Sequence, residues 1–338
     1  MLKFVGDISL TDGYFDFGFG VGTNIGKGFN PYTHLDRKPE DCWIGNFEGV
    51  ASITTNRSGN ASNIFRVDPK ALAGLNHFDV YGFANNHAMQ HGKEAYWNTV
   101  EALQSYGSKV FGTNKERAVV IEHQGRRVSL TGVCLRIDEF TKTPEYWYNP
   151  EYSEIIAEYN QLPKDSFKVL FVHWGNEYIN RPSSAQKKFA HWLIDTGFDL
   201  IIGMHPHVLQ GYEDYQEGRI YYSLGNFVFD MASELCKYGA IVSVDLRQGK
   251  PIYKEDYVRI GEDCAPIPIE EKDVPYDISF NQLNQALIKE DNSEEYHAEI
   301  IRGYKAYRKG NRKLILKNIF RHPKEVFFMV MDFIKRRL

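Results

Sequence analysis

An α/β fold closed by a helical C-terminal segment is the architecture this sequence predicts. Three features predict it. Short apolar runs alternate with segments of helical period, the pattern of βα units. Several of those runs end directly in residues with metal-ligand chemistry, where an open α/β sheet presents its ligands. After Pro275 the strand pattern stops and helical spacing continues to the end.

Taken in order, residues 3–5 read as a short buried strand running into Gly6-Asp7. Residues 13–28 repeat Gly and Phe without period and read as loop. Residues 41–46 form the next strand. Asp68-Pro69 has the form of an N-cap followed by proline in a first turn, so a helix is expected to about residue 75. Residues 78–84 are strand, and residues 92–106 a helix ended by Gly107. Two β-rich runs, 118–122 and 127–131, flank Gln124-Gly125 and predict a hairpin. A tyrosine-containing helix ends near Leu162, residues 167–172 are a strongly apolar strand, and residues 183–196 are helix. Residues 200–202 are a strand leading into His205-Pro206-His207. Residues 219–224, 240–246 and 252–260 supply further strands. A division near residue 265 separates a body, 1–265, from a helical basic extension, 266–338.

The chain has 338 residues, 43% hydrophobic and 25% charged, which suits a packed core and excludes global disorder. Its four cysteines (Cys42, Cys134, Cys236, Cys264) are scattered without a CxxC pair, so reduced thiols in a cytoplasmic protein are expected. The first strand starts almost at Met1, leaving no room for a signal peptide, and no apolar run is long enough to span a bilayer. Net charge is −4, but residues 302–338 hold 12 Lys/Arg against two acids, so that stretch carries +10 and the remainder −14.

Four clusters carry the chemistry: Gly6-Asp7; Asn46-Phe47-Glu48; Asn85-Asn86-His87; and His173 with His205 and His207. Singly each is ordinary. Gly-Asp after a strand is a common turn, and a lone histidine is more often a satisfied core residue than a ligand. Alternate side chains of an extended segment share a face, so His205 and His207 are expected to aim at one cavity. Together the carboxylates, amide and imidazoles mix hard oxygen with borderline nitrogen donors, a set that suits Mn, Zn or Fe.

These clusters, with His173-Trp174-Gly175-Asn176-Glu177-Tyr178, Gly203-Met204-His205-Pro206-His207 and Tyr222-Ser223-Leu224-Gly225-Asn226-Phe227, resemble in order the CapA-type proteins of capsule and poly-γ-glutamate biosynthesis. That family is a branch of the calcineurin-like metallophosphatase superfamily, and the resemblance covers residues 3–246. It implies a four-layer metallophosphatase-like αββα sandwich and two divalent metal ions. Asp7 and His207 would hold one; Asn86, His173 and His205 the other, with Glu48 between them. His87 would be the general acid, and Asn46, Asn85, Trp174, Glu177 and Arg181 would contact substrate. Three departures stand out, the first two from the superfamily pattern and the third from the CapA-type one. Serine (Ser9) replaces the first-strand histidine, Asn46-x-Glu48 replaces Gly-Asp-x-x-Asp, and Gln90 replaces an aspartate after His87.

The implied activity is a metal-dependent, phosphoesterase-like hydrolase acting in capsule, exopolysaccharide or poly-γ-glutamate biosynthesis, on a small-molecule or polymer substrate. A γ-glutamyl amide hydrolase or transferase, and a non-catalytic scaffold with a vestigial site, are the alternatives. No nucleic-acid partner is expected from an acidic body without a recognised motif. In the tail, Val326, Phe327, Val330, Met331 and Ile334 fall at helical spacing before Lys335-Arg336-Arg337. That pattern fits either packing on the acidic body or peripheral contact with the inner membrane face.

Overall fold

The computed structural model describes residues 1–288 and 293–335. In chain order its elements are β1 (Leu2–Ile8), α1 (Val21–Ile25), β2 (Cys42–Phe47), β3 (Val50–Ala51), β4 (Arg66–Val67), β5 (Val80–Gly82), α2 (Lys93–Ser105), β6 (Lys109–Phe111), β7 (Ala118–His123), β8 (Arg126–Cys134), α3 (Tyr152–Gln161), β9 (Phe167–His173), α4 (Ser184–Thr196), β10 (Leu200–Met204), β11 (Leu209–Tyr215), β12 (Gly218–Leu224), β13 (Asn226–Val228), β14 (Tyr238–Asp245), β15 (Ile252–Ile260), β16 (Pro266–Ile269), α5 (Phe280–Leu287), α6 (Ser293–Asn318) and α7 (Pro323–Lys335). One mixed sheet runs β16-β15-β14-β1-β2-β5-β6, with β13 also paired to β1; the other runs β11-β12-β10-β9-β8-β7.

The two sheets pack face to face. Leu2, Phe4, Ile44 and Val80 of the first meet Leu130, Val169, Phe171 and Ile202 of the second in one apolar cluster. The outer face of the first sheet is covered by α1 and α2, through Val21, Ile25, Tyr96 and Leu103. The outer face of the second is covered by α3 and α4, through Ile155, Leu193 and Ile194. This is the expected αββα sandwich. Along β9 the period-two rule explains the unbroken apolar run. Val169 and Phe171 point between the sheets, while Leu170 and Val172 point under the helices. Each such side chain contributes about 1.5–3 kcal/mol by leaving water.

Some local expectations are corrected. Residues 13–28 are not all loop, because Val21 and Ile25, four apart, bury one face of a short helix. Its start is tied down by Asp12, which accepts from the Thr23 backbone N–H at 2.8 Å. The expected helix after Asp68 is a single 3-10 turn, Pro69–Leu72; Gly74, at φ 82°, lies just beyond it. The expected N-cap is present, with Asp68 accepting from the Lys70 N–H. Strand pairing also continues past residue 265, where β16 joins the edge of the large sheet.

In the C-terminal segment α7 is anchored by buried Val326 and by His322 stacked on Phe19 at 4.8 Å. Phe327, Val330, Met331 and Ile334 remain exposed, as does Phe320 at 91%. The end of the expected Lys335-Arg336-Arg337 cluster, Arg336 and Arg337, lies outside the described residues. Among the described residues no helix is long and apolar enough to cross a membrane.

Candidate metal centre

Parallel strands β1, β2 and β5 of one sheet and β9 and β10 of the other release their chains near one point. Asp7 arrives by an irregularity: the β1–β2 register shifts between Phe4 and Asp7, and the Asp7 N–H donates to the Gly225 carbonyl at 3.1 Å. Only glycine fits before it, since a Cβ on Gly6 would lie 1.9 Å from the Gly225 oxygen. Gly6→Ala is therefore expected to cost about 3 kcal/mol or more through overpacking against backbone. A thermal melt checks this.

Asp7 and Glu48 are fully buried. Asp7 Oδ1 accepts from Asn46 Nδ2 at 2.8 Å and Oδ2 from the His205 N–H at 3.0 Å. Both oxygens of Glu48 are without a partner among the described residues. His87 Nε2 and His207 Nε2 each lie 3.8 Å from its Oε1. Burial pushes the Glu48 carboxyl well above the usual range, and the nearby Asp7 and Glu177 push it further. Asp7 is also raised by burial, with His207 and the Asn46 hydrogen bond opposing.

Three donor atoms crowd together around His173. Its Nε2 lies 2.8 Å from Asn86 Oδ1 and 3.2 Å from His205 Nδ1. Burial holds the His173 and His205 imidazoles well below their ordinary value, so both are neutral, the form whose lone pair binds a cation. The rings of His205 and His207 lie 5.7 Å apart, but strand alternation does not bring them together. Each has a positive φ, 95° and 58°, so the peptide turns at both residues around Pro206. Strain of that kind is typical of functional loops.

Hydrogen bonds and ring stacking fix the remaining groups. His207 Nδ1 lies 2.9 Å from Asn226 Oδ1, and Asn226 donates its own amide to the Cys236 carbonyl at 3.0 Å. Asn226 thus orients His207; its position within the Tyr222–Phe227 motif was the available signal. Asn85 donates to the Phe47 carbonyl at 2.7 Å and accepts from the His87 N–H at 3.2 Å, joining the β2 and β5 loops. His87 stacks on Phe65 at 3.9 Å, and its Nδ1 meets Gln90 Oε1 at 2.8 Å. Gln90 directs its amide nitrogen to the Ile64 carbonyl, so the oxygen faces His87 and the proton sits on Nδ1. Nε2 is then bare and faces Glu48. Burial lowers His87 to about 4.

Of the expected substrate contacts, Asn46, Asn85 and Glu177 lie at the centre. Trp174 and Arg181 do not. The Trp174 ring is buried under the second sheet and donates to the Tyr222 carbonyl at 2.9 Å. Arg181 is buried against α6, bound to Glu299 at 2.7 Å. Sequence reasoning missed Arg136, which follows β8 beside β9 and donates to the Gly175 carbonyl at 3.0 Å. Its Nε is buried without a partner among the described residues, and its charge helps hold down His173 and His205.

The donor set fits divalent cations. Asp7, Glu48 and His173 offer atoms within 4.8 Å of one another, as do Glu177, His205 and His207. Glu48 and His205 Nε2 are buried polar atoms with nothing else among the described residues to satisfy them.

A Bacillus anthracis protein named Capsule biosynthesis protein CapA is 33% identical over 186 residues, which is 50% of this chain and 44% of that protein. The PGA biosynthesis protein CapA of Bacillus subtilis (strain 168) is 27% identical over 73% of this chain and 69% of its own length. Among solved structures, 5'-nucleotidase from Candida albicans aligns over 93% of this chain and 57% of its own, at 13% identity and a TM-score of 0.43. The family model described as bacterial capsule synthesis protein PGA_cap matches residues 1–231, and the chain belongs to that family.

Proposed function

We propose that this chain is a metal-dependent hydrolase of phosphoesterase type that serves capsule, exopolysaccharide or poly-γ-glutamate biosynthesis. The observation that carries this reading is Glu48: a carboxylate with no exposure, no N–H or O–H donor to either oxygen among the described residues, and Asp7, His87 and His207 around it. A carboxylate in that position is costly unless a cation neutralises it. Asp7, Glu48, Asn86, His173, His205 and His207 would hold two divalent ions, Mn, Zn or Fe. When bound, such ions supply Lewis-acid stabilisation of developing negative charge and an acidified water.

The protein's own part is positioning and proton handling. Asn85, Asn46 and Asn226 brace the ligands. Neutral His87, anchored through Nδ1, presents Nε2 as the atom that takes up a proton and passes it to a leaving oxygen. Arg136 supports an anionic substrate, because a guanidinium with a free Nε beside the histidines is suited to an oxyanion. Arg136→Gln is expected to raise KM about 10- to 100-fold with a smaller effect on kcat, as for loss of a charge-assisted hydrogen bond. Steady-state kinetics on a phosphodiester would show the split.

The relatives' names bring in a γ-glutamyl amide as a competing substrate for the same centre. The deciding experiment pairs elemental analysis of purified protein with Mn²⁺-dependent hydrolysis of a generic phosphodiester and of a γ-glutamyl peptide. Phosphodiester cleavage that is lost with chelator is expected. Cleavage of the peptide alone would transfer the site to amide chemistry, and a metal-free inert protein would leave a scaffold.

For the tail, we propose peripheral contact with anionic lipid through the exposed Phe327, Val330, Met331 and Ile334 stripe and its basic surroundings. The full chain should float with anionic liposomes and a chain ending at Asn311 should not. Equal recovery in the aqueous fraction would end this idea.

A further inference from the structure

The loop after β9 carries a third acidic group toward the histidine pair. A Glu177 carboxylate oxygen and one ring nitrogen each of His205 and His207 lie within 4.8 Å of one another. His205 is fully buried, and its Nε2 has no partner among the described residues. Ser9 offers no substitute for a first-strand histidine, since its hydroxyl pairs with Thr11 Oγ1 at 2.7 Å. The His207 half of the centre therefore needs another donor.

Glu177 is held by the C-terminal helix. Tyr304 of α6 donates its hydroxyl to Glu177 Oε2 at 2.9 Å. The same helix grips the flanking residues. Tyr307 stacks on Tyr178 at 4.4 Å and 12°, and Glu299 binds Arg181 at 2.7 Å. Gly303 packs so closely that a Cβ would lie 2.2 Å from the Tyr178 carbonyl oxygen. These ties hold a loop whose Tyr178 has φ 64°. A flexible glutamate gains a fixed orientation from such a partner, as ligating carboxylates do from their outer hydrogen bonds.

We propose that Glu177 is a metal ligand completing the His205–His207 half of the centre. Tyr304 is its positioning residue, which makes the C-terminal helix part of the metal site. A carboxylate with two imidazoles suits Mn, Zn or Fe. The assignment rests on the metal-centre reading above.

The test is Mn²⁺ titration of the full chain by calorimetry, with elemental analysis, on wild type, Glu177→Gln, Tyr304→Phe and Glu299→Gln; circular dichroism confirms folding of each. Glutamine keeps an oxygen to accept from Tyr304 but is a poor ligand. Wild type should take up two ions, and Glu177→Gln should lose one or bind it more than about 10-fold more weakly. Tyr304→Phe should keep both, one of them about 10-fold weaker, and Glu299→Gln should match wild type. Two ions of undiminished affinity in Glu177→Gln would overturn the ligand assignment while leaving the centre intact. Equal weakening in Glu299→Gln and Tyr304→Phe would show that helix docking, not the hydroxyl, sets the carboxylate. A wild-type chain that takes up no Mn²⁺ would sink the centre itself.

Discussion

Glu48→Gln is expected to abolish metal-dependent turnover and at the same time to raise the melting temperature of the metal-free protein. Both effects come from one geometry. Glu48 has no exposure, neither oxygen has an N–H or O–H donor among the described residues, and burial, Asp7 and Glu177 all push its carboxyl upward. A group whose folded pKa is raised favours the fold below its unfolded value and loses that contribution as pH rises toward the folded value. At neutral pH the metal-free chain therefore carries the cost of this acid. Glutamine has the same shape without the charge, so about 1–3 kcal/mol of stability should be regained near pH 7 and little near pH 4. Turnover should fall about 1000-fold or more, since even outer partners of metal ligands cost 10- to 100-fold. With saturating Mn²⁺ the order of stability should reverse, because an ion bound only by the folded wild type adds its binding energy to the fold. Scanning fluorimetry with EDTA and with Mn²⁺, beside phosphodiester turnover, measures all three. A less stable metal-free variant with normal turnover would make Glu48 a structural carboxylate.

The sequence is most legible where one physical rule acts alone. β9 is an apolar run because both its faces are covered, and β15 was readable over its full span. Ser183 caps α4 by accepting from the Gln186 N–H at 3.2 Å, where the helix was expected to start. Asp7, His173 and His205 could be picked out as candidate ligands because they sit at the ends of such strands. Elements that depend on tertiary pairing were not readable. β11, from Leu209 to Tyr215, contains Gly211, Glu213 and Asp214 and is a strand through its antiparallel ladder with β12. The same applies to the site. Trp174 and Arg181 neighbour a ligand in sequence, yet their side chains turn to the core and to α6. Arg136 acts on His173 and His205 through its charge only because β8 lies beside β9, with the Leu135 N–H donating to the His173 carbonyl at 2.9 Å. No local spacing encodes that.

Acid is expected to unfold the metal-free chain between about pH 6.5 and 4, through histidines that the fold keeps neutral. His77 and His91 are each lowered from 6.5 to about 4, chiefly by burial. His77 is caged by Tyr32 at 4.9 Å and Trp43 at 4.6 Å, and its Nε2 has no partner among the described residues. His91 spans Thr55 and the Ile64 carbonyl, each within 2.8 Å. A lowered pKa gives stability that is complete above the unfolded value and is lost as pH falls toward the folded one. Each such histidine should therefore tilt the unfolding free energy by about 1.4 kcal/mol per pH unit in this window. His77→Phe keeps an aromatic ring in an aromatic cage and removes the titrating nitrogens. It should flatten the slope by close to one proton and leave the stability near pH 7.5 within about 1.5 kcal/mol. Urea unfolding at several pH values, in EDTA, measures the slope; an unfolding free energy that is level from pH 6.5 to 4 would refute the account. Ile64, which His91 holds, precedes the Phe65 ring stacked on His87. Protonated His91 still donates through Nε2 to the Ile64 carbonyl, so the wall that orients His87 should persist until the fold itself is lost, and activity should fail on the acid side with the fold.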